Sequence, residues 1–192
     1  MRKIKMIFGI SFLLVGITLV LIPFYHEWKQ ARELEALEEA LEMITGENKK
    51  QSDVPFTEEQ LKGVLELEIP SIELKQKVLT ETTDENLNIA LTQIKPNQTP
   101  GEGNFTIAGH RGYRGNRHFR NLPNVQKGDE ILLHTKNQTF IYSIVDSKVI
   151  EPTDIAVLED QEEKSEITLI TCTISGKERI AVKGELKKVI KD

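Results

Sequence analysis

The chain carries a single cysteine, Cys172, which stands where an apolar run beginning at Ile167 gives way to the polar turn Thr173–Glu178. A thiol presented at the rim of a strand can serve as a nucleophile if a base or a positive charge favours the thiolate near neutral pH. A lone cysteine can also be a small buried hydrophobic residue. The residue type alone leaves both interpretations open, but it excludes an internal disulfide framework and a cysteine-rich zinc site.

A thiol nucleophile needs an acid–base partner, and the chain has four histidines. His110 directly follows the short run that ends at Ala108-Gly109, where small residues allow close backbone approach, and it is the histidine we select as acid and base. His26 falls beside the apolar amino-terminal segment and His134 falls in a predicted strand facing solvent. His118 is expected to be solvated, because it lies deeper in an arginine-rich loop.

Acyl transfer also requires a group that stabilises negative charge on a carbonyl oxygen. Arg179 lies seven residues after Cys172, so an antiparallel pairing across the intervening turn would return it beside the cysteine. An arginine stays protonated and cannot act as a base, but it can donate hydrogen bonds to the substrate backbone or to an oxyanion. Four other arginines compete for this role: Arg111, Arg114, Arg117 and Arg120.

The elements that must position these residues are mostly strands. From residue 64 onward the apolar residues alternate with polar ones in short runs, the clearest being Leu65–Ile69, Asn104–Ala108 and Glu166–Cys172. Tight turns separate the runs, and a short helix is predicted at Asp84–Leu91, with Ile72–Leu74 resuming extended structure after Pro70. This pattern predicts an all-β barrel or sandwich with short helices over residues 64–192.

The amino terminus predicts a membrane anchor. Residues 6–25 form an uncharged apolar segment long enough to span hydrocarbon, preceded by a basic tip at residues 1–5 and followed by aromatic residues up to Trp28. Basic residues stay cytoplasmic and aromatic rings favour the interface, so we expect a single-pass protein with a cytoplasmic amino terminus and an external domain. The alternative is a cleaved secretory signal, although no small-residue cleavage site follows.

Residues 26–63 are predicted to form a juxtamembrane amphipathic helix and a polar linker, which separate the anchor from the domain at residues 64–192. The net charge of −5 is opposite in sign to that of a general nucleic-acid binder, so no nucleic-acid partner is expected.

At these residues the sequence resembles the sortases, the membrane-anchored cysteine transpeptidases of Gram-positive bacteria. The resemblance rests on Ala108-Gly109-His110, on the string Thr168–Cys172 and on the downstream Arg179, and it runs from about Leu65 to Leu186. It is most similar to class A, with class D next. The resemblance implies an eight-stranded β-barrel in which Cys172, His110 and Arg179 form a catalytic triad.

The resemblance also implies a substrate and a partner. An LPXTG-like sorting signal on a surface protein would be cleaved between Thr and Gly through a thioester, and the protein would pass to an amine of a peptidoglycan precursor. Thr171 would support the oxyanion, and no cofactor or metal is required, although some members bind calcium through acidic loops. The Leu and Pro of the signal would enter a groove lined by Ala108, Ile155, Val157, Leu158 and Ile170.

Two other functions remain open from the residues. The chain could be a membrane-tethered β-module that binds a wall polymer or a peptide without catalysis, in which case Cys172 is inert. It could also be a cysteine hydrolase that releases peptides to water. Reaction products with and without an amine acceptor separate these functions from a transpeptidase.

Overall fold

The computed structural model describes residues 2–45, 61–112 and 118–191. The chain divides into two units, residues 1–55 and 56–192. The second unit contains a closed barrel in which the strands follow the order β1-β2-β3-β4-β7-β8-β6-β5, with β5 pairing back to β1. The strands are β1 Leu65–Ile69, β2 Leu74–Leu79, β3 Leu91–Gln93, β4 Asn104–Ala108, β5 Glu130–His134, β6 Gln138–Ile150, β7 Glu166–Cys172 and β8 Arg179–Lys191.

The predicted all-β barrel with eight strands is therefore confirmed. Most neighbouring strands are antiparallel, whereas β2 with β3 and β4 with β7 are parallel. Inward-facing aliphatic and aromatic side chains from the strands form one continuous core, as expected where apolar residues alternate along half-buried strands. Its fully buried members include Leu67, Leu91, Phe105, Ile107, Ile131, Leu133, Tyr142, Ile167, Leu169 and Val182.

Two local predictions need correction. Ile72 belongs to a 3-10 turn, Pro70–Ile72, because Pro70 fixes the backbone angle φ at the first position, and β2 begins only at Leu74. The short helix α2 spans Asp84–Ile89, capped by the Thr83 hydroxyl, which accepts a hydrogen bond from the Asn86 amide at 3.1 Å. Leu91 is buried in β3 instead of completing this helix.

The first unit contains the helix α1, Arg2–Thr45, which passes through Pro23 without interruption. The sequence predicts an anchor and a separate juxtamembrane helix, but the structure has one continuous helix. The residues beyond Tyr25 are rich in Ala, Leu and Glu, which are strong helix formers. A proline is tolerated in a membrane-spanning helix. The polar linker predicted at residues 47–55 lies outside the described residues.

Part of α1 is long and apolar enough to cross a membrane. The segment Gly9–Leu41 contains a window with a mean hydropathy of 1.9, none of which is buried inside the protein. Tyr25 and Trp28 follow the apolar residues, with ring centroids 6.3 Å apart, and the Arg32 guanidinium lies 5.3 Å from the Trp28 ring centroid. Aromatic and basic side chains of this kind favour the membrane–water interface.

Candidate active site

Cys172 is the last residue of β7 and its side chain faces outward from the barrel. Along this strand Ile167 and Leu169 point into the core, so the alternation of a β-strand places Thr168, Ile170 and Cys172 on the outer face. Cys172 is half-buried. The thiol therefore lies at the rim of the barrel and remains accessible to a reagent.

His110 reaches the same rim through the parallel pairing of β4 with β7. Ala108 lies opposite Ile170, and the Gly109 amide donates to the Ile170 carbonyl at 3.1 Å. His110 and Cys172 each follow this pair by two residues. The register therefore brings the exposed residue His110, just after β4, and Cys172, at the end of β7, to the same rim of the barrel.

Gly109 and Phe119 fix the backbone at His110. A Cβ on Gly109 would collide with Leu91 and lie 2.8 Å from Cδ2 of the fully buried Phe119 ring, so only glycine fits. The Phe119 backbone amide donates to the His110 carbonyl at 3.0 Å, which joins residue 119 to the backbone at the histidine. The backbone position of His110 is therefore set by packing as well as by the end of the strand.

His118 is buried, with 8% of its surface exposed, so the prediction that it is solvated is wrong. Its ring lies edge-on to His110, with the ring centroids 6.3 Å apart. His118 directly precedes the fully buried Phe119 and lies inward with it. The spacing of residues in the sequence does not indicate this burial. The structure thus places a second imidazole beside the candidate acid–base residue.

Arg179 is the first residue of β8 and lies directly opposite Cys172 in the antiparallel register of β7 with β8. The predicted pairing across the Thr173–Glu178 turn is thus observed. Nη1 of Arg179 donates to the carbonyl oxygens of Gly176 and Glu178, each at 3.1 Å, so the guanidinium is held beside the turn. Of the competing arginines, Arg111 and Arg120 follow the end of β4, whereas Arg114 and Arg117 lie outside the described residues.

The predicted groove residues come from three elements. Ala108 and Ile170 are paired, half-buried neighbours on the outer face of β4 and β7. Ile155, Val157 and Leu158 come from a 3-10 turn, Ile155–Leu158, in the connection between β6 and β7. Ile155 is 69% exposed, Leu158 is half-buried and Val157 is buried.

Thr171 precedes the cysteine and faces the other way. Strand alternation turns its side chain toward the barrel interior, where it is 2% exposed. Its hydroxyl has no hydrogen-bond partner among the residues that the structure describes. A buried hydroxyl in this condition costs free energy, and it lies one residue from the thiol.

An acidic stretch that includes Glu159, Asp160, Glu162 and Glu163 follows the 3-10 turn, and the family resemblance makes these residues the candidates for a calcium loop. Asp160 accepts hydrogen bonds from Nζ of Lys95 at 2.7 Å and from the backbone amide of Asn104 at 2.8 Å. These two donors, with Lys95 the larger influence, lower the pKa of Asp160 below its ordinary value. Within the described ranges, no group of three or more His, Cys, Asp or Glu side chains is arranged to hold a metal ion.

Comparisons with known proteins give the family of the chain. The sortase domain model matches residues 67–187. Sortase A of Bacillus anthracis is 29% identical over 96% of this chain and 95% of its own length. Among solved structures, sortase A of Listeria monocytogenes superposes with a TM-score of 0.63 at 30% identity, covering 67% of this chain and 89% of its own. A sortase D5 transpeptidase of Clostridium perfringens gives a TM-score of 0.63 at 29% identity, covering 83% and 98%.

The closed barrel carries an outward-facing cysteine at the end of β7, with His110 and Arg179 at the neighbouring strand ends. The chain belongs to the sortase family. It is accordingly an enzyme of the cysteine transpeptidase class, which attaches proteins to the cell wall, and α1 is its candidate membrane anchor.

Proposed function

We propose that this enzyme cleaves an LPXTG-like sorting signal between Thr and Gly and transfers the protein to an amine of a peptidoglycan precursor. The observation that supports this proposal most strongly is the pair of registers around β7. One register sets Arg179 opposite Cys172, and the other sets His110 at the adjacent strand end. Three groups from neighbouring strand ends are then available to one scissile bond.

The first half of the reaction forms the acyl-enzyme. The Cys172 thiolate attacks the carbonyl carbon of the Thr–Gly bond, and the carbon–nitrogen bond breaks to leave a thioester. His110, as the imidazolium, gives its proton to the departing glycine amine. Arg179 donates to the substrate oxygen that becomes negative: its two bonds to turn carbonyls both come from Nη1, and a guanidinium carries five N–H donors.

The second half of the reaction releases the product. The acceptor amine attacks the thioester carbonyl, neutral His110 takes the proton that the amine loses, and Cys172 leaves again as the thiolate. Each half-reaction is an acyl transfer, which replaces one difficult amide exchange by two easier steps.

The groove on the outer face receives the apolar part of the signal. Ala108 and Ile170 form its floor, with Ile155 and Leu158 along one wall and the buried Val157 supporting that wall. We propose that Thr171 supports the oxyanion region through its backbone next to Cys172, because its side chain faces the barrel interior. The exposed Ile155 is unfavourable in water, and a bound Leu or Pro side chain would cover it.

We further propose that the amino terminus is cytoplasmic and the barrel is external. The basic residues before the apolar part of α1 and the aromatic residues after it favour this orientation. The proposed function fits both class A and class D sortases.

The test uses the full-length enzyme in detergent micelles, incubated with an LPXTG peptide that carries a reporter on each side of the Thr–Gly bond. Release of the glycine fragment, with ligation of the remaining part to an added diglycine amine, is the expected result. The Cys172→Ala variant should release nothing.

Other products identify the alternative functions. Release of the fragment with no ligation at saturating amine identifies a hydrolase. Binding of the peptide without any cleavage identifies a non-catalytic module.

A further inference from the structure

The wall of the proposed groove is held by side chains that are distant in sequence. The amide of Asn104 is buried, and its Nδ2 donates to the carbonyl oxygens of Val157 at 2.9 Å and Glu159 at 3.3 Å. Its Oδ1 accepts from the Thr168 hydroxyl at 2.7 Å. One side chain thus ties the segment 155–160 to β4 and to β7.

Lys95 provides the second attachment. Its Nζ donates to the Leu158 carbonyl at 3.1 Å and to Oδ1 of Asp160 at 2.7 Å. Asp160 fits close to the backbone only because Gly103 has no side chain: a Cβ there would lie 2.8 Å from Cγ of Asp160, and the glycine has φ +52°. We refer to Lys95, Asn104 and Asp160 together as the polar clamp.

The segment has little other regular support in the described part of the chain. Its backbone-to-backbone bonds are short-range turn bonds, such as those from the Ile155 amide to the Thr153 carbonyl at 3.0 Å and from the Glu159 amide to the Ala156 carbonyl at 3.3 Å. Apart from the clamp, the Thr168 hydroxyl donates to the Val157 carbonyl at a longer 3.5 Å. No strand ladder includes residues 155–160. The position of Ile155 and Leu158 relative to the strand floor therefore depends on the clamp.

We propose that Lys95 and Asn104 are positioning residues, which hold the segment 155–160 in the shape that binds the sorting signal. This inference rests on the proposed function of the groove. If the segment is already ordered in the free enzyme, less entropy is lost when the substrate binds. The clamp therefore strengthens substrate binding. The clamp does not touch the reacting atoms, so the effect falls on KM more than on kcat.

The test compares full-length enzyme with the Lys95→Met and Asn104→Leu variants, using the LPXTG peptide with a saturating amine. Lys95→Met removes both donations but keeps a side chain of similar length, and we expect KM to rise about five-fold with kcat within about two-fold of the parent. Lys95→Arg, which keeps a cationic donor, should restore most of the lost binding. The matched control is Lys75→Met, which breaks a 3.1 Å ion pair with Glu66 between β1 and β2.

Two further measurements distinguish positioning from general destabilisation. The alkylation rate of Cys172 by iodoacetamide, which does not need the groove, should be unchanged in Lys95→Met. Amide hydrogen exchange in the segment 155–160 should be about five-fold faster, because local opening becomes easier.

The outcomes separate the two proposals. If the unsubstituted enzyme forms no product, the proposed function is wrong, and hydrogen exchange alone then decides whether the clamp holds the segment. If the enzyme is active but Lys95→Met leaves KM and the amide exchange rate of residues 155–160 unchanged, the clamp is not a positioning device. The same conclusion follows if Lys95→Met lowers both kcat and the alkylation rate of Cys172. If Asn104→Leu fails to fold, the Lys95 variants still decide the question.

Discussion

The two faces of the ladder formed by β4 and β7 are built in different ways. The inner face is a continuous apolar surface, in which Phe105, Ile107, Ile167 and Leu169 are all fully buried. The outer face changes in character along the strands. It begins with buried polar groups at Asn104 and Thr168, continues through the half-buried Ala108 and Ile170, and ends at Cys172.

This difference separates stability from function. The inner face excludes water and contributes to the core of the barrel, whereas the outer face leaves apolar and reactive groups accessible beside a segment held by hydrogen bonds. Burial on the inner face stabilises the fold through area removed from water. Exposure on the outer face provides a place for substrate, and so substitutions on the two faces should give different experimental signatures.

The largest effect is expected at the reactive end of the outer face. Arg179→Ala should lower kcat/KM for the sorting peptide about 1000-fold, because one donor to the developing oxyanion is lost. The free energy of unfolding should change by less than about 0.5 kcal/mol, since the side chain lies at the surface of the turn. Peptide cleavage and urea unfolding measure the two quantities. Activity that stays within ten-fold of the parent would assign the cationic role to another residue.

The next effect compares adjacent residues that face opposite ways. Leu169→Ala should lower the free energy of unfolding by about 3 kcal/mol, because it leaves a cavity in a closely packed core. Ile170→Ala should lower it by about 1 kcal/mol and raise KM for the peptide instead. Urea titration and steady-state kinetics on both variants provide the comparison. Equal losses of stability with no change in KM would remove Ile170 from the groove.

A third prediction concerns the pH dependence of stability and Tyr142, which is buried in the barrel core on β6. Burial raises the pKa of Tyr142 to about 12, although the Gly101 amide donates to its phenol oxygen at 3.0 Å. The unfolded chain ionises this residue near pH 10 while the folded chain keeps it neutral. Its contribution to stability is therefore complete below pH 10 and is lost as the pH rises toward 12, by about 2–3 kcal/mol.

Urea unfolding of the parent and Tyr142→Phe at pH 8, 10 and 11 measures this dependence. Phenylalanine cannot ionise, so the variant should lose less stability than the parent over this range. Parallel pH profiles for the two proteins would show that Tyr142 is not the group responsible.

The smallest effect is expected at Thr171, on the inner face but next to the nucleophile. Replacing its buried hydroxyl by a methyl group in Thr171→Val should raise the free energy of unfolding by about 1 kcal/mol. The same change should leave kcat nearly unchanged, because the Thr171 side chain faces the barrel interior and the proposed support of the oxyanion region comes from its backbone. Thermal unfolding and initial rates test the two parts. A less stable variant would show that the hydroxyl makes a favourable contact in the folded enzyme.

The inner face could be predicted from the sequence, and most of the outer face could not. Alternation of apolar residues located β4 and β7 at their observed bounds, because side chains in a strand repeat every two residues. The antiparallel return of Arg179 followed from the short turn after Cys172. The contacts of Lys95 and Asn104 with residues 157–160 join parts of the chain more than fifty residues apart. Local pattern carries no information on such pairs, and the same is true of the burial of His118.

The central claim is that Cys172 is the nucleophile in an acyl transfer on a sorting peptide. The most direct measurement is the intact mass of the full-length enzyme after incubation with an LPXTG peptide in the absence of an amine, followed by mapping of the modified residue. We expect a mass adduct on Cys172 that corresponds to the peptide up to its Thr. The adduct should disappear on addition of an amine and should not form in Cys172→Ala. Cleavage of the peptide by the Cys172→Ala variant at the rate of the parent would contradict the account.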